Sequence, residues 1–497
     1  MIPNFIKRLF NTLEDENTPW SFVFITFCSS IILRNFLEHF TNTARINFYD
    51  HINYFFEYLC VALSMSIIFT LSGKISIQKS IRVVFSSFLI ILLAPTIDFF
   101  YYTKPHQMAF IPPNTTDMLM KFLSFFGNSY GVTAGIKIEI AVILFSSFLF
   151  FRFKKVSIFK SFLLVFLEYI MLFLYASIIY LVDILAKKLG FIIDIESYVI
   201  GFFIYMDIFL ANIIFFLYSP KLFKIIIFDS RVKKIIHYML MPILGTSLYL
   251  RITNHPFPIN SISIIKFSFI FPAIYYAALF SIIINNIADI NSDSVNSPER
   301  PLIAGNVSLP LYSSLSWIFL LISLIFSMYS GYRAFISIFS VISLYNLYSI
   351  KPFRIKRLFL ISKLTISLNS LILLWLGFKF FDQKAIFPVH FGILFFISIS
   401  IAANFIDLKD NKGDKIDRIS TISTLLGEKI SKLFVGISFI IAYPLTFSYF
   451  HNSFITISGI IFSIIEFFLI NRKQYNEKPV LILYLISMIF LIFSIQL

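Results

Sequence analysis

Long apolar runs alternate with short polar ones along the whole chain. The run FPAIYYAALFSIII, residues 271–284, gives way at once to NNIADINSD, and the same change recurs many times. Fifteen runs of roughly 17 to 25 residues are each long enough to cross about 30 Å of hydrocarbon as a helix. Six are expected near residues 20–38, 52–72, 82–102, 134–152, 160–184 and 198–218. Nine more are expected near 234–251, 264–288, 311–329, 332–350, 358–378, 386–406, 431–450, 453–471 and 479–496. None shows the short alternating pattern of a barrel strand, so the pattern predicts an all-α polytopic membrane protein. The segment SPKLFKIIIFDSRVK, residues 219–233, separates the two sets and reads as a basic linker. It divides the chain into an N-terminal transmembrane domain, 1–218, and a second domain, 234–497.

Composition supports this class. With 58% hydrophobic residues, 13% charged and a mean hydropathy of +0.86, the chain lies far from soluble proteins. The net charge of +15 does not point to nucleic acid, because the basic residues lie in short loops and not on one soluble face. With the N-terminus in the cytoplasm, roughly 28 Lys and Arg fall in loops on that side and about 12 on the other, with Lys363 inside a span. That asymmetry predicts a multi-pass protein with a cytoplasmic N-terminus. Cys28 and Cys60 both lie in apolar runs, so neither a disulfide framework nor a cysteine metal site is expected. Glu14, Asp15 and Glu16 stand between the basic Lys7 and Arg8 and the first apolar run, an order unlike a cleaved signal peptide.

Two acidic clusters change the picture. Asn285, Asp289 and Asp293 are spaced i, i+4, i+8, and share one face if the helix continues through them. Asp407, Asp410 and Asp414, spaced i, i+3, i+7, do the same at the end of a span four helices later. A single such Asp is an ordinary loop residue. Two stripes of anionic oxygen repel themselves unless a cation compensates, and Mg²⁺ takes such oxygens together with substrate phosphates. Arg300, Lys351, Arg354, Lys356, Arg357, Lys409, Lys412, Lys415 and Arg418 lie close in sequence. Most serve as topology-setting charge; Arg300 and Lys356 stand out for the reason that follows.

Asn285-x3-Asp289-x3-Asp293 running into Asn296-Ser297-Pro298-Glu299-Arg300-Pro301-Leu302-Ile303-Ala304-Gly305 resembles the first signature of the UbiA-type intramembrane prenyltransferases. Asp407-Leu408-Lys409-Asp410-Asn411-Lys412-Gly413-Asp414 resembles the second, and Thr421 to Gly427 is similar to the tail that follows it. Tyr348-Ser349-Ile350-Lys351-Pro352-Phe353-Arg354-Ile355-Lys356-Arg357 resembles the loop between them. The resemblance covers about residues 230–497 and implies a nine-helix bundle, preceded here by about six additional helices. Three departures stand out. Asn286 replaces a usual Asp, Arg418 replaces a usual Gly, and no Arg-Pro pair precedes the first family helix.

The resemblance implies Mg²⁺-dependent transfer of a prenyl group from a polyprenyl diphosphate to a lipophilic acceptor among membrane lipids. Asp289, Asp293, Asp410 and Asp414 would be catalytic, and Mg²⁺ would be held by these four with Asn285 and Asp407. Asn285, Arg300, Tyr348, Ser349 and Lys356 would bind the donor, Tyr348 by lining a dry cavity or else by sitting in an interfacial belt. The acidic signatures would lie on the cytoplasmic side. A transporter or channel with cation-binding clusters and a catalytically silent lipid-binding homologue remain alternatives. In the first half, Asp98, Glu139, Glu168 and Asp207 fall in or near spans, and pairing within a bundle, with Lys137 near Glu139, is the expectation. The loop 103–131 is a candidate cover for a lipid-facing entrance.

Overall fold

The computed structural model describes residues 3–41, 48–102, 118–127, 132–188, 195–254, 261–409, 415 and 419–496. Among them all regular structure is helical. Among the described residues fourteen helices are long and apolar enough to cross a membrane, one fewer than expected. The difference is the segment Tyr332–Ser349. It is a helix of 18 residues, but Arg333 near its start and Tyr345, Asn346 and Tyr348 near its end dilute its hydropathy.

The chain divides into two compact units, Met1–Phe223 and Lys224–Leu497, with the boundary inside the expected linker. In the first unit α1 (Trp20–Thr41), α2 (Phe48–Leu71), α3 (Ile77–Tyr101, with a 3-10 stretch at Ser87–Leu92), α4 (Ala134–Phe153), α5 (Ile158–Lys188) and α6 (Ile195–Tyr218) are the long elements. Of the four acids expected in or near these spans, Glu139 and Asp98 are tied across the bundle, whereas the buried carboxylate oxygens of Glu168 and Asp207 have no hydrogen-bond partner among the described residues. Arg34 pairs with Glu38 and with Glu139, each at 2.8 Å, so the partner of Glu139 is Arg34 and not Lys137. Lys137 instead donates to the carbonyl of Gly127. Asp98 accepts from the Thr133 hydroxyl and, at 2.8 Å, from the Gly135 backbone N–H, fixing the start of α4. Of the loop 103–131, residues 103–117 and 128–131 lie outside the described residues, and Met118–Leu123 forms a short helix.

The linker is itself helical over α7 (Pro220–Asp229). The second unit then holds α8 (Val232–Thr253), α9 (Ile270–Ala288), the short α10 (Ile290–Asn296), α11 (Leu309–Ser330), α12 (Tyr332–Ser349), α13 (Phe359–Phe380), α14 (Val389–Ala402), α15 (Ile422–Phe447), α16 (Ser453–Ile470) and α17 (Glu477–Ser494). Leaving α10 aside, each of the nine helices α8 to α17 packs on the next, and α17 returns to α8, so the bundle closes on itself. Helices α8 and α13 also pack against each other across it. Their contact is close because two glycines let it be. A Cβ on Gly245 would stand 2.0 Å from the Leu374 carbonyl oxygen, and one on Gly377 1.9 Å from that of Pro242. Small residues give lipid-embedded helices van der Waals contact that apolar burial cannot drive there. The Thr246 hydroxyl adds a hydrogen bond of 3.1 Å to the carbonyl of Gly377.

Candidate active site

A cavity of about 690 Å³ opens in the second unit, lined from α8, α9, α10, α12, α13, α14, α17 and the loops at one end of these helices. Asn285, Asp289, Asp293 and Asp407 all face it, as do Arg300, Tyr348, Ser349 and Lys356. Its wall thus joins, in one place, residues spread over more than 120 positions of sequence.

The first cluster does not lie on one continuous helix as its spacing predicts. Helix α9 ends at Ala288, and Asp289 leaves helical geometry at φ −108° and ψ 15° before α10 begins. The helical ladder still bridges the break. The Asp289 N–H donates to the Asn285 carbonyl at 2.9 Å, and the Asp293 N–H to that of Asp289 at 2.8 Å. The three polar side chains therefore keep their common orientation toward the cavity. Asp289 is buried and accepts from Arg354 Nη2 at 2.9 Å and from Lys356 Nζ. Asp293 accepts from Arg300 Nη1, and Asn285 Oδ1 from the Ser349 hydroxyl at 3.1 Å. Burial, with the charge of Asp289 adding to it, pushes the Asp293 carboxyl up to about 6 even though Arg300 opposes the shift.

Asn286, the departure from the expected signature, sits at the centre of a network. Its Nδ2 donates to Asp229 Oδ2 at 2.8 Å and to Tyr312 Oη at 2.9 Å. Tyr312 Oη in turn donates to Asp229 Oδ2 at 2.7 Å. With its amide nitrogen so committed, Asn286 presents Oδ1 to Arg231 Nη2 at 2.7 Å and Arg300 Nη1 at 3.2 Å. Two guanidiniums thus converge on one uncharged oxygen. Burial first, and then the Arg300 charge, lower Arg231 from its ordinary value, which marks a place where an anion would be stabilised.

Of the second cluster, Asp410 and Asp414 lie outside the described residues. Asp407 is described, at the end of the 3-10 segment Ala403–Leu408 that follows α14. It pairs with Lys363 at 2.6 Å, so the intramembrane lysine of α13 has a partner. The tail after this cluster is a helix start. Thr421 caps α15 in a reciprocal capping box with Thr424, and the Ser423 hydroxyl donates to the Asp407 carbonyl at 3.1 Å. Gly427, at φ +74°, then kinks α15 in a conformation that a residue with a Cβ rarely adopts.

Four residues at the site were not among those expected. Asp229 and Arg231 come from the linker, and Arg354 is buried at a positive φ of 38° where a solvated loop charge was expected. His237, from α8, lines the cavity as well.

This arrangement can be set beside known proteins. One curated relative, the digeranylgeranylglyceryl phosphate synthase of Methanobrevibacter smithii, is 26% identical over 174 residues. That stretch is 34% of this chain and 61% of the relative, so the chain spans about three fifths of that protein's length. Among solved structures, a UbiA homologue from Archaeoglobus fulgidus bound to DMAPP and Mg²⁺ is similar at 16% identity and a TM-score of 0.43, covering 54% of this chain and 96% of that one. A digeranylgeranylglyceryl phosphate synthase structure is similar at 24% identity and a TM-score of 0.40, covering 56% and 100%. The model of the UbiA prenyltransferase family matches residues 239–491, from early in α8 to late in α17. With just over half its length inside that match, the chain belongs to the UbiA prenyltransferase family.

Proposed function

We propose that this protein transfers a prenyl group from a polyprenyl diphosphate to a lipophilic acceptor within the membrane, with Mg²⁺ as its metal and the acidic mouth on the cytoplasmic side. The observation that carries the reading is the pairing of opposites around one cavity. Asn285, Asp289, Asp293 and Asp407 offer hard oxygens there, while Arg231 and Arg300 converge on Asn286 Oδ1 and Lys356 meets Asp289. The donor set suits Mg²⁺, which favours carboxylate and amide oxygens completed by substrate phosphates. Among the described residues no three His, Cys, Asp or Glu converge to hold a metal alone. Asp410 and Asp414 would complete the ligand set from the second signature. When bound, the metal would supply Lewis-acid neutralisation of the departing diphosphate.

The chain's own groups do the rest. Arg300, Arg231 and Lys356 give charge-assisted hydrogen bonds to the leaving group, exchanging their present partners Asp293, Asn286 and Asp289 for phosphate oxygens. The Ser349 hydroxyl orients Asn285. Behind this mouth, Ala278, Ile282, Ile366, Ile399, Ala402 and Phe405 form an apolar wall that keeps water from the allylic centre. Tyr348 lines the same space with its ring, which suits a developing cation.

The test is direct. Purified full-length protein is incubated with Mg²⁺, labelled prenyl diphosphates and a panel of lipophilic acceptors, beside Asp289→Ala. Metal-dependent release of diphosphate that Asp289→Ala abolishes is expected. No release from any donor, or a variant equal to an active wild type, overturns the reading.

A further inference from the structure

The cavity has a polar floor as well as a polar mouth. His237 stands five residues into α8 and Tyr484 seven residues into α17, roughly 8 and 10 Å from those helix starts at 1.5 Å per residue. The two helix starts are held together at the mouth, where Glu477 pairs with Lys234 at 2.8 Å and with Lys409 at 2.5 Å. Both side chains line the cavity. His237 Nε2 is 2.8 Å from Ser370 Oγ, and Nδ1 is 2.8 Å from Tyr484 Oη.

The network assigns the protons. Ser370 donates its hydroxyl to the Ile366 carbonyl at 3.1 Å, so its oxygen accepts from His237 Nε2–H. Nδ1 then carries the lone pair, and Tyr484 donates to it. The phenolic oxygen keeps its own acceptor capacity, and among the described residues no second hydrogen bond reaches it. A side chain that only stitches helices together has no need to open onto the cavity. Tyr484 lines the cavity, and its phenolic oxygen is backed by an imidazole.

We infer that this floor is the site for the acceptor's hydroxyl, so that the acceptor is an alcohol-bearing lipid, and that Tyr484 with His237 removes its proton; this rests on the prenyl transfer proposed above. The acceptor O–H donates to Tyr484 Oη. As its oxygen forms the new bond to the allylic carbon, the bond from that carbon to diphosphate breaks, and its electron pair leaves with diphosphate. The hydroxyl proton passes to Tyr484 Oη, and the phenolic proton passes to His237 Nδ1. His237 is then an imidazolium that keeps Nε2–H on Ser370, and it returns its proton through Tyr484 to water when the ether leaves. Alkylation of an aromatic carbon would need no such oxygen-to-oxygen hydrogen bond.

The experiment uses full-length protein in nanodiscs with Mg²⁺ and farnesyl diphosphate. The acceptors are 1-hexadecanol, 1-O-hexadecylglycerol and its 3-phosphate, and the hydroxyl-free 1,3-dimethoxy-5-pentylbenzene. Ether, farnesol and total diphosphate are measured for wild type, Tyr484→Phe, His237→Gln and Ser370→Ala. Wild type is expected to form ether with at least one hydroxyl lipid. Tyr484→Phe and His237→Gln are expected to lower the ratio of ether to farnesol by about 100-fold, the usual reach of a positioned proton acceptor. Melting temperatures matching wild type show each variant to be folded, and Ser370→Ala should lower the ratio by less. An unchanged ratio in both Tyr484→Phe and His237→Gln, or wild-type alkylation of the dimethoxybenzene alone, overturns the inference. If wild type releases no diphosphate, or Asp289→Ala matches it, the prenyl-transfer reading fails first and this inference falls with it.

Discussion

Asn286 Nδ2 donates to Asp229 Oδ2 at 2.8 Å across 57 residues of sequence. The negative charge that residue 286 lacks is thus supplied by a residue that precedes the family match, on the segment leading into α8. Asp229 sets which way the Asn286 amide points, and so which atom Arg231 and Arg300 meet.

Exchanging the two residues tests that dependence. Asp229→Asn removes a partly buried charge, and Asn286→Asp places two carboxylates against each other. Each single change is expected to cost about 1–3 kcal/mol of stability and to lower turnover about ten-fold or more. The double exchange keeps every donor paired with an acceptor, so it should recover most of both losses. Melting temperature and metal-dependent diphosphate release, measured over the full cycle, decide the matter; a double variant worse than both singles would contradict it.

Lys356 and Arg354 both hold Asp289, yet they should fail differently. Arg354 is buried in a left-handed loop conformation, so Arg354→Ala leaves Asp289 less compensated and its own loop unanchored. A loss of about 3–5 kcal/mol is expected, as for other broken buried pairs. Lys356→Ala should instead cost about 10²-fold or more in kcat/KM through lost stabilisation of the leaving group. Denaturation and kinetics on the same preparations separate the two.

Asp293 carries a stability cost for its role. Its carboxyl is raised to about 6 in the folded protein by burial, so the folded state holds this proton more tightly than the unfolded chain does. Its contribution to stability is full below the ordinary aspartate range and is lost as pH rises through about 6. Without metal, Asp293→Asn is therefore expected to be the more stable protein at pH 7.5, by about 1 kcal/mol or less given partial solvent screening. The advantage should fade toward pH 4, while activity is lost at every pH. Melting curves of the metal-free proteins between pH 4 and 8 test the sign.

The contact between α8 and α13 leaves no room for a methyl group. Gly245→Ala and Gly377→Ala each place a carbon within 2.0 Å of a carbonyl oxygen on the facing helix. The helices must separate, at about 1–3 kcal/mol each. Since the same pair carries His237 opposite Ser370, turnover is expected to fall with the melting temperature.

Much of this architecture could be read from the sequence because lipid imposes a length and a composition on every span. The alignment of the first acidic cluster was legible for a related reason: helical spacing fixes which side chains share a face, and Asn285, Asp289 and Asp293 keep that alignment through the break at Asp289. Other features had no local signal. Asp229 and Arg231 sit in a short basic stretch that reads as a linker, and only folding brings them to Asn286. The charge at the end of the apolar run IIIFD was the one hint. Arg354 looked like any topology-setting arginine, because burial is not written in residue type. Lys137 seemed the partner for Glu139 by proximity in sequence, whereas Arg34 reaches it from 105 residues away. Helix α12 fell short in hydropathy for a reason visible only in three dimensions, since Tyr345 and Tyr348 face the cavity and not lipid.

The closure of α17 onto α8 also has a consequence in time. Synthesis delivers α8 well before α17, and His237 meets Tyr484 across 247 residues while Gln496 reaches the Ser247 carbonyl across 249. Until α17 emerges, His237 and Lys234 on α8 lack the partners that α17 brings, and the chamber has an open side. Contacts of such long range form slowly and late. A nascent chain halted just before α17 would therefore hold nearly all the signature residues and still lack one wall of the chamber that uses them.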